Sequence, residues 1–237
     1  MAHTVTPTAG DDHLAATFDW LAGRYLEQTV QVSWGRYPAW MAAVARLAVR
    51  PRPHRLVDLG SGPGYLLRRV AARLPECELA AVDISARVLE AVPESVARYQ
   101  APMQVWAAGH ARAYDVAVLS FVLRDLARPE EGIQAAATAL RPGGRVIVLE
   151  THTPEGWRQW GFDAYFHHAL PAWGDRFLTR DWPEAKERAP YRWLSETHRR
   201  WHRGEALGTW LEAAGFSHIT SHRRAEDVVL LYSANLT

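Results

Sequence analysis

The residues best placed to do chemistry lie in one short run, Val57-Asp-Leu-Gly-Ser-Gly-Pro-Gly64, and in one acid downstream, Asp83. Gly60, Gly62 and Gly64 let a strand turn tightly into a helix. They also bring a ligand close to the main chain and, with Ser61, offer amide N–H groups at a helix N-terminus. Asp83 ends the next strand, where open α/β sheets set a carboxylate against a ribose diol. Asp58, just inside the loop, suits a ligand end carrying an ammonium group rather than a pyrophosphate. The Gly60-x-Gly62-x-Gly64 spacing departs from the G-x-G-x-x-G of dinucleotide sites and from the G-x-x-x-x-G-K-[ST] of nucleoside triphosphatases. A Tyr-x-x-x-Lys dyad is excluded, because Trp182 stands four residues before Lys186, the only lysine. Together these features favour S-adenosylmethionine as the ligand.

Other reactive side chains carry weaker signals. His198/His202 and His218/His222 have the i, i+4 spacing of helical metal ligands. The second pair falls on an expected strand, and no carboxylate or cysteine completes either set. They are read as surface histidines, and no metal site is expected. Cys77 is the only cysteine, which excludes a disulfide framework and a multi-cysteine zinc site. Basic and acidic residues number 27 and 26, a net charge of +1, so nothing in the charge balance argues for nucleic-acid or membrane binding. The apolar run Val116 to Leu123 is broken by Ser120 and is too short to span a bilayer. The opening MAHTVTPTAGDD has no basic region followed by an apolar core, so no signal peptide is expected. The chain reads as a soluble, cytoplasmic protein.

These groups need a scaffold, and the hydrophobic pattern supplies one. Residues 1–12 read as a flexible leader and 13–237 as a single domain. Residues 13–50 form N-terminal helices with a break near Ser33–Gly35, ended by Pro51 and Pro53. Strands are expected at Arg55–Leu59, Glu78–Asp83, Met103–Ala107, Val116–Ser120 and Arg145–Glu150. Helices are expected after the glycine loop, after Ser85 as N-cap, and over Glu130–Leu140. Strands alternating with helices imply a doubly wound, mostly parallel α/β sheet. A helix at Glu205–Ala214 and a terminal antiparallel hairpin, Ser217–Ser221 with Asp227–Ser233, complete it.

Residues 151–203 break the rhythm as a helical, aromatic-rich insertion, a lid or substrate segment. Seven of the 11 tryptophans lie between Trp157 and Trp210. Phe162, Tyr165, Phe166, Ala169, Leu170, Trp173 and Phe177 share one helical face, which is read mostly as core. Some of Trp157, Trp160, Trp182, Trp193 and Trp201 are expected to line a pocket for a flat apolar substrate.

Val57–Gly64, Ala81-Val-Asp-Ile84, Tyr114-Asp-Val-Ala-Val-Leu119 and Leu140-Arg-Pro-Gly-Gly-Arg145 resemble the successive motifs of class I S-adenosylmethionine-dependent methyltransferases. Within that superfamily the chain is most similar to the UbiE-type C-methyltransferases of ubiquinone and menaquinone biosynthesis. Phe18–Tyr25 resembles their F-D-x-I-A-x-x-Y, Ser120–Asp125 their G-F-G-L-R-N, Tyr165–Pro171 their Y-F-K-H-x-x-P and Tyr191–Glu196 their Y-R-Y-L-P-E. The resemblance implies a seven-stranded Rossmann-like fold. It implies a cofactor site of Tyr25, Asp58, Gly60, Ser61, Gly62, Gly64, Asp83, Ile84, His110 and Ser120. His110 stands in Gly109-His110-Ala111, where the family has Gly-Asp-Ala and the acid meets the adenine amine.

The activity implied is methyl transfer to a small aromatic acceptor, a quinol if the family's chemistry holds. Arg124 would stand beside the phenolate form, with Asp125 or His168 relaying its proton. O- or N-methyl transfer on another small molecule, and a non-methylating use of the same cofactor, are the alternatives. No nucleic-acid partner, at most peripheral membrane contact and, as an allowed oligomer, a homodimer complete the expectation.

Overall fold

The computed structural model describes residues 9–180, 189–201, 205–222 and 228–237. Its centre is β1 (Arg55–Leu59), whose Leu56, Val57 and Leu59 are fully buried. Val57 and Leu59 point into one layer, while Leu56 points into the other. This period-two division repeats along β2 (Glu78–Asp83), β4 (Tyr114–Ser120) and β5 (Leu140–Thr151). Both faces are covered, so these strands read as near-continuous apolar segments.

With β3 at Ala97–Gln100, β6 at Phe216–Ser221 and β7 at Val229–Leu236, the sheet has seven strands in the order β3-β2-β1-β4-β5-β7-β6. β7 runs antiparallel to both of its neighbours, β5 and β6; the other strands share one direction. One layer is formed by α6 (Met103–Gly109), α7 (Pro129–Ala139) and α11 (Glu205–Ala213). The opposite layer holds α3 (Tyr37–Ala48), α4 (Tyr65–Ala71) and α5 (Ala86–Glu90). Strand order reverses between β1 and β4, and the crevice at their carboxyl ends is where such sheets take ligands. At the other end, the Asp115 carboxylate ties the entry of β1 to β4. It accepts from the His54 and Arg55 amides at 2.6 and 3.1 Å and meets Arg141 at 2.8 Å.

Three expectations change. β3 is Ala97–Gln100, and Met103–Ala107 lies in α6 instead. Buried Met103, Trp106 and Ala107 follow i, i+3, i+4, but a five-residue apolar run does not separate helix from strand. The true β3 is an edge strand with mostly exposed side chains, so it carries no apolar run. Of the expected leader, residues 1–8 lie outside the described residues, and Ala9 already begins α1 (Ala9–Leu21). The chain breaks again before α2 (Tyr25–Val32). Third, the aromatic stripe is not one core face. α8 (Trp157–Asp163) and α9 (Leu170–Trp173) are joined by a π-helical turn at Ala164–Ala169, and a second one follows at Gly174–Leu178. Each π-turn shifts the helical phase. Phe166 and Leu170 are therefore buried, whereas Trp173 and Phe177 are about half exposed, at 53% and 51%.

Ile147 is fully buried at the middle of β5. Ile147→Ala should cost about 2–5 kcal/mol, read as a lower urea midpoint at unchanged slope. A loss below ~0.5 kcal/mol, the scale of surface substitutions, would show that β5 is not central to the fold.

Candidate active site

The loop after β1 is built for close approach. Gly60, Gly62 and Gly64 have φ of +74°, +51° and +71°. A side chain at Gly60 would run into Val122, and one at Gly64 would lie 3.1 Å from the Val92 side chain. The Gly60 and Ser61 amides donate to the Val82 carbonyl at 2.8 and 3.1 Å, pinning the loop to the end of β2. Asp83 then accepts from the Gly62 amide at 2.9 Å and the Ser85 amide at 3.0 Å. Ser85 caps α5 through the Val88 amide and also bonds the Asp19 carboxylate on α1, so α1 closes one side.

The loop fits S-adenosylmethionine on two observations. Asp58 is buried and its Oδ1 has no hydrogen-bond partner among the described residues, an orphan acceptor suited to an ammonium group. Burial, and then Asp83, push its carboxyl up to about 8. Asp83 itself is pushed up to about 6 by burial, against the pull of its backbone N–H partners. Its oxygens keep lone pairs for a ribose diol. The ring of Tyr25 faces Gly62, 3.8 Å from where a side chain there would begin. Ile84 follows Asp83 half-buried, and Ser120 ends β4 with its hydroxyl unpartnered among the described residues.

His110 is placed elsewhere. It caps the end of α6, which leads back toward the start of β4, away from the carboxyl edge. Its ring stacks on Trp106 with centroids 4.3 Å apart, and its Nδ1 bonds the Trp106 carbonyl at 2.8 Å. The residues that leave β3 on the ligand edge are Ala101, Pro102 and Met103, none with a side-chain acid.

Beyond β4 a single 3₁₀ turn, Leu123–Asp125, carries the other polar groups. Arg124 Nη1 meets Glu150 Oε1 at 2.6 Å, and the same carboxylate accepts from the Thr151 amide at 2.7 Å. Burial works against the Arg124 charge, but Glu150 and Asp125 outweigh it and hold the guanidinium protonated. Asp125 Oδ1 lies 3.8 Å from Arg124 Nε, too far for a hydrogen bond. Burial pushes the Asp125 carboxyl up to about 7, Arg124 opposing and Glu150 assisting. Burial also pushes the Tyr25 hydroxyl well up, and it feels Arg124, Asp125, Asp83 and Glu150. Tyr25 therefore stands where the glycine loop and this turn meet.

Arg124 and Asp125 line a cavity of about 490 Å³. Its walls are aromatic: Tyr37, Trp40 and Phe121 on one side, Phe162, Tyr165 and Trp193 from the insertion. Trp157 also lines it; Trp160 is 81% exposed, Trp201 is buried against the sheet, and Trp182 lies outside the described residues. His168 is exposed and does not line the cavity, so the structure does not bring it to Arg124 and Asp125. Its neighbour His167 turns inward and meets Ser195 Oγ at 2.9 Å. His198, expected at the surface, is 3% exposed on α10 (Pro190–Arg200). It packs on Phe166 at 4.8 Å and Phe162 at 5.1 Å, and burial pushes its imidazole down to about 3. His202 lies outside the described residues, and His222 bonds Ser233 at 3.3 Å. No group of metal-ligating side chains assembles among the described residues.

Residues 34–221 match the family model described as a methyltransferase domain. The chain belongs to this family. It is an S-adenosylmethionine-dependent methyltransferase of class I that resembles UbiE. The methyltransferase is 28% identical over 226 residues to the ubiquinone/menaquinone biosynthesis C-methyltransferase UbiE of Paracoccus denitrificans, covering 91% of this chain and 87% of that one. Its fold is similar to a possible histamine N-methyltransferase from Thermotoga maritima, with 17% identity, 95% and 100% coverage and a TM-score of 0.59. It is also similar to human N-acetylserotonin methyltransferase in complex with S-adenosylmethionine, with 17% identity, 88% and 54% coverage and a TM-score of 0.55. No helix among the described residues of the methyltransferase is long and apolar enough to cross a membrane.

Reading the sequence missed Glu150 as a site residue. It stood only as the last residue of an expected strand, though an acid at the carboxyl end of a central parallel strand is itself a signal. His198 was also legible: with Tyr191 and Ser195 it follows i, i+4, i+7, and all three are buried.

Asp58 yields a proton-linkage prediction. Its folded value of about 8 lies above that of a free carboxyl. The stability it lends is therefore full at low pH and is lost as pH rises through about 8. An ammonium group beside it favours the ionised form and expels the proton. S-adenosylhomocysteine binding near pH 7 should release up to about one proton per site, so calorimetric enthalpies should differ between phosphate and Tris buffers. Asp58→Asn should abolish that difference and weaken binding by roughly 1.5–3 kcal/mol. Equal enthalpies in both buffers for the parent protein would remove Asp58 from the ammonium site.

Proposed function

We propose that this methyltransferase methylates a ring carbon of a small electron-rich aromatic, a quinol. The observation that carries this reading is a buried carboxyl, Asp125, poised near neutrality on the lining of an aromatic-walled cavity. The name of the UbiE relative, a C-methyltransferase, supports it. The fold alone does not choose the acceptor, since similar structures are named for N-, O- and carbon methyl transfer.

S-adenosylmethionine supplies an electrophilic methyl group on a sulfonium. The protein's contribution is therefore alignment, exclusion of water and activation of the acceptor. Asp58, Asp83 and the Gly60–Gly64 loop with Ser61 hold the amino-acid and ribose ends, and Tyr25 covers the loop. Aromatic walls hold a flat ring by stacking and edge contacts. Asp125 takes the proton from an acceptor hydroxyl, and the resulting phenolate raises electron density at the ring carbons. A base whose pKa lies near the working pH is the efficient choice. Arg124 is not a lone cation beside the phenolate, because Glu150 matches its charge. Its remaining N–H donors can still bond a developing oxyanion. As the new carbon–carbon bond forms the sulfur–methyl bond would break, leaving S-adenosylhomocysteine, and the methylated ring carbon then gives its proton to water, so one methyl group is exchanged for one proton. His168, exposed at the surface, takes no part in this route.

The test is incubation with ¹³C-methyl-labelled cofactor and a short-chain demethylated quinol, with the product read by NMR. A ring-carbon methyl signal is expected; a methoxy or N-methyl signal would overturn the assignment. Turnover should rise with pH through about 7 and level off above it, as Asp125 ionises. Asp125→Asn should lose that limb and about 10²–10⁴-fold in turnover, with part recovered at high pH, where the phenol ionises unaided. Full activity of Asp125→Asn at pH 7 would mean that the proton leaves by another path.

A further inference from the structure

The amino-acid end of S-adenosylmethionine carries two opposite charges, an ammonium and a carboxylate. Asp58 suits the first, and the second needs a different partner. The glycine loop does not supply one. Its Gly60 and Ser61 amides both donate to the Val82 carbonyl, the Gly62 amide donates to Asp83, and the Gly64 amide donates to the Ser61 carbonyl at 3.2 Å. Pro63 has no N–H to offer. Asp58 and Asp83, once ionised, repel a second carboxylate. A side-chain donor is therefore required, near Asp58 and clear of the other acids.

Two tyrosines stand where the loop meets the acceptor cavity. The Tyr25 hydroxyl feels Asp125, Asp83 and Glu150 as well as Arg124, so carboxylates predominate around it. Tyr37 is different. It is 5% exposed and lines the cavity, and its hydroxyl makes no hydrogen bond to the described residues. A buried hydroxyl left without a partner is costly, so it marks a place where a ligand atom can sit. Its backbone is fixed by a bond from its amide to Ser33 Oγ at 3.0 Å, and its ring packs on those of Tyr65 at 5.3 Å and Phe121 at 6.0 Å. Burial holds the hydroxyl protonated, and Tyr25, Asp58, Tyr65 and Arg69 all bear on it. It is thus a neutral donor beside Asp58. Arg69 comes to this place from α4. Its guanidinium lies 4.5 Å from the Tyr65 ring centre and bonds the Tyr65 hydroxyl, and its buried Nε has no partner among the described residues. An acid for the ammonium, a hydroxyl donor and a nearby cation are the groups that a zwitterion asks for.

We propose that the Tyr37 hydroxyl donates to the α-carboxylate of the cofactor, with the Arg69 charge in support, so that the amino-acid end is clasped between Asp58 on β1 and Tyr37 on α3. The proposal rests on the placement of the ammonium group at Asp58, and the two ligands below separate one from the other. It gives α3 a part in holding the cofactor as well as in walling the acceptor.

The affinities of S-adenosylhomocysteine and of its decarboxylated analogue would be measured by calorimetry. The analogue keeps the adenosine, the thioether and the ammonium, and it lacks only the carboxylate. Tyr37→Phe should weaken S-adenosylhomocysteine by about ten-fold or more, the scale of a hydrogen bond to a charged group, and leave the analogue bound as in the parent. Arg69→Gln should give the same split to a smaller degree. Asp58→Asn should weaken both ligands. Unchanged binding of S-adenosylhomocysteine by Tyr37→Phe, or by Arg69→Gln, would overturn the proposal. So would an equal loss for both ligands in Tyr37→Phe, because a variant that has only lost packing weakens the two alike. If Tyr37→Phe shows the split while Asp58→Asn binds both ligands like the parent, Tyr37 keeps its place and the ammonium assignment fails instead.

Discussion

Two charges that would each be costly to bury alone meet at the carboxyl ends of β4 and β5. Arg124 and Glu150 are 2.6 Å apart, with side chains 10% and 1% exposed. Removing either partner of such a pair strands the other, at about 3–5 kcal/mol, so the pair fixes the turn that carries Arg124. That turn spans both halves of the site. Val122, just before it, packs on Gly60 in the cofactor loop, and Leu123 packs on Gly132 of α7. Asp125, just after Arg124, sits between a cation that favours its charge and a burial that opposes it. The glycine loop and α7 thus both pack against the turn that carries the proposed base, or against the residue just before it.

What the sequence made legible follows from how strongly each element is written into it. A loop needing three left-handed residues must use glycine, and Gly60, Gly62 and Gly64 stand in the chain as a pattern few other structures require. β1, β2, β4 and β5 are buried on both faces, so their apolar runs are hard to mistake. β3 is different: at the sheet edge, Ala97, Arg98 and Gln100 are exposed, and nothing apolar marks them. The next apolar run, Met103–Ala107, is helical, and taking it for the strand sets His110 at the adenine end, where α6 does not place it. The π-turns were not legible at all. They depend on hydrogen-bond register within a helix, and residue type barely constrains it.

The site divides along the same line. The glycines and the acids Asp58 and Asp83 answer backbone demands, so their place in the candidate site is legible in the sequence. A side chain fixed by contact between distant segments is legible only in part. Glu150 matters only because Arg124 folds against it from 26 positions away. His198 is buried only because the insertion wraps its ring with Phe162 and Phe166. Spacing within one helix hints at a buried face, but it does not name what covers that face.

The acceptor cavity is built differently from the cofactor loop, with consequences for specificity. Its walls come chiefly from α2–α3 and from the insertion, and these two segments hold each other. Tyr165 bonds the carbonyl of Val32, and Gln28 bonds the hydroxyl of Tyr191 at 3.3 Å. Gly174 leaves room for the Tyr191 ring, where a side chain would come within 2.6 Å. The sheet contributes the lower boundary, through Phe121, Arg124 and Asp125 at the end of β4 and Thr151 and Val229 on β5 and β7. Exchanges in the wall segments can therefore reshape the acceptor pocket without disturbing the glycine loop or the Arg124–Glu150 pair. On the proposed reading, acceptor choice rests with the aromatic walls, and the proton chemistry with the turn after β4.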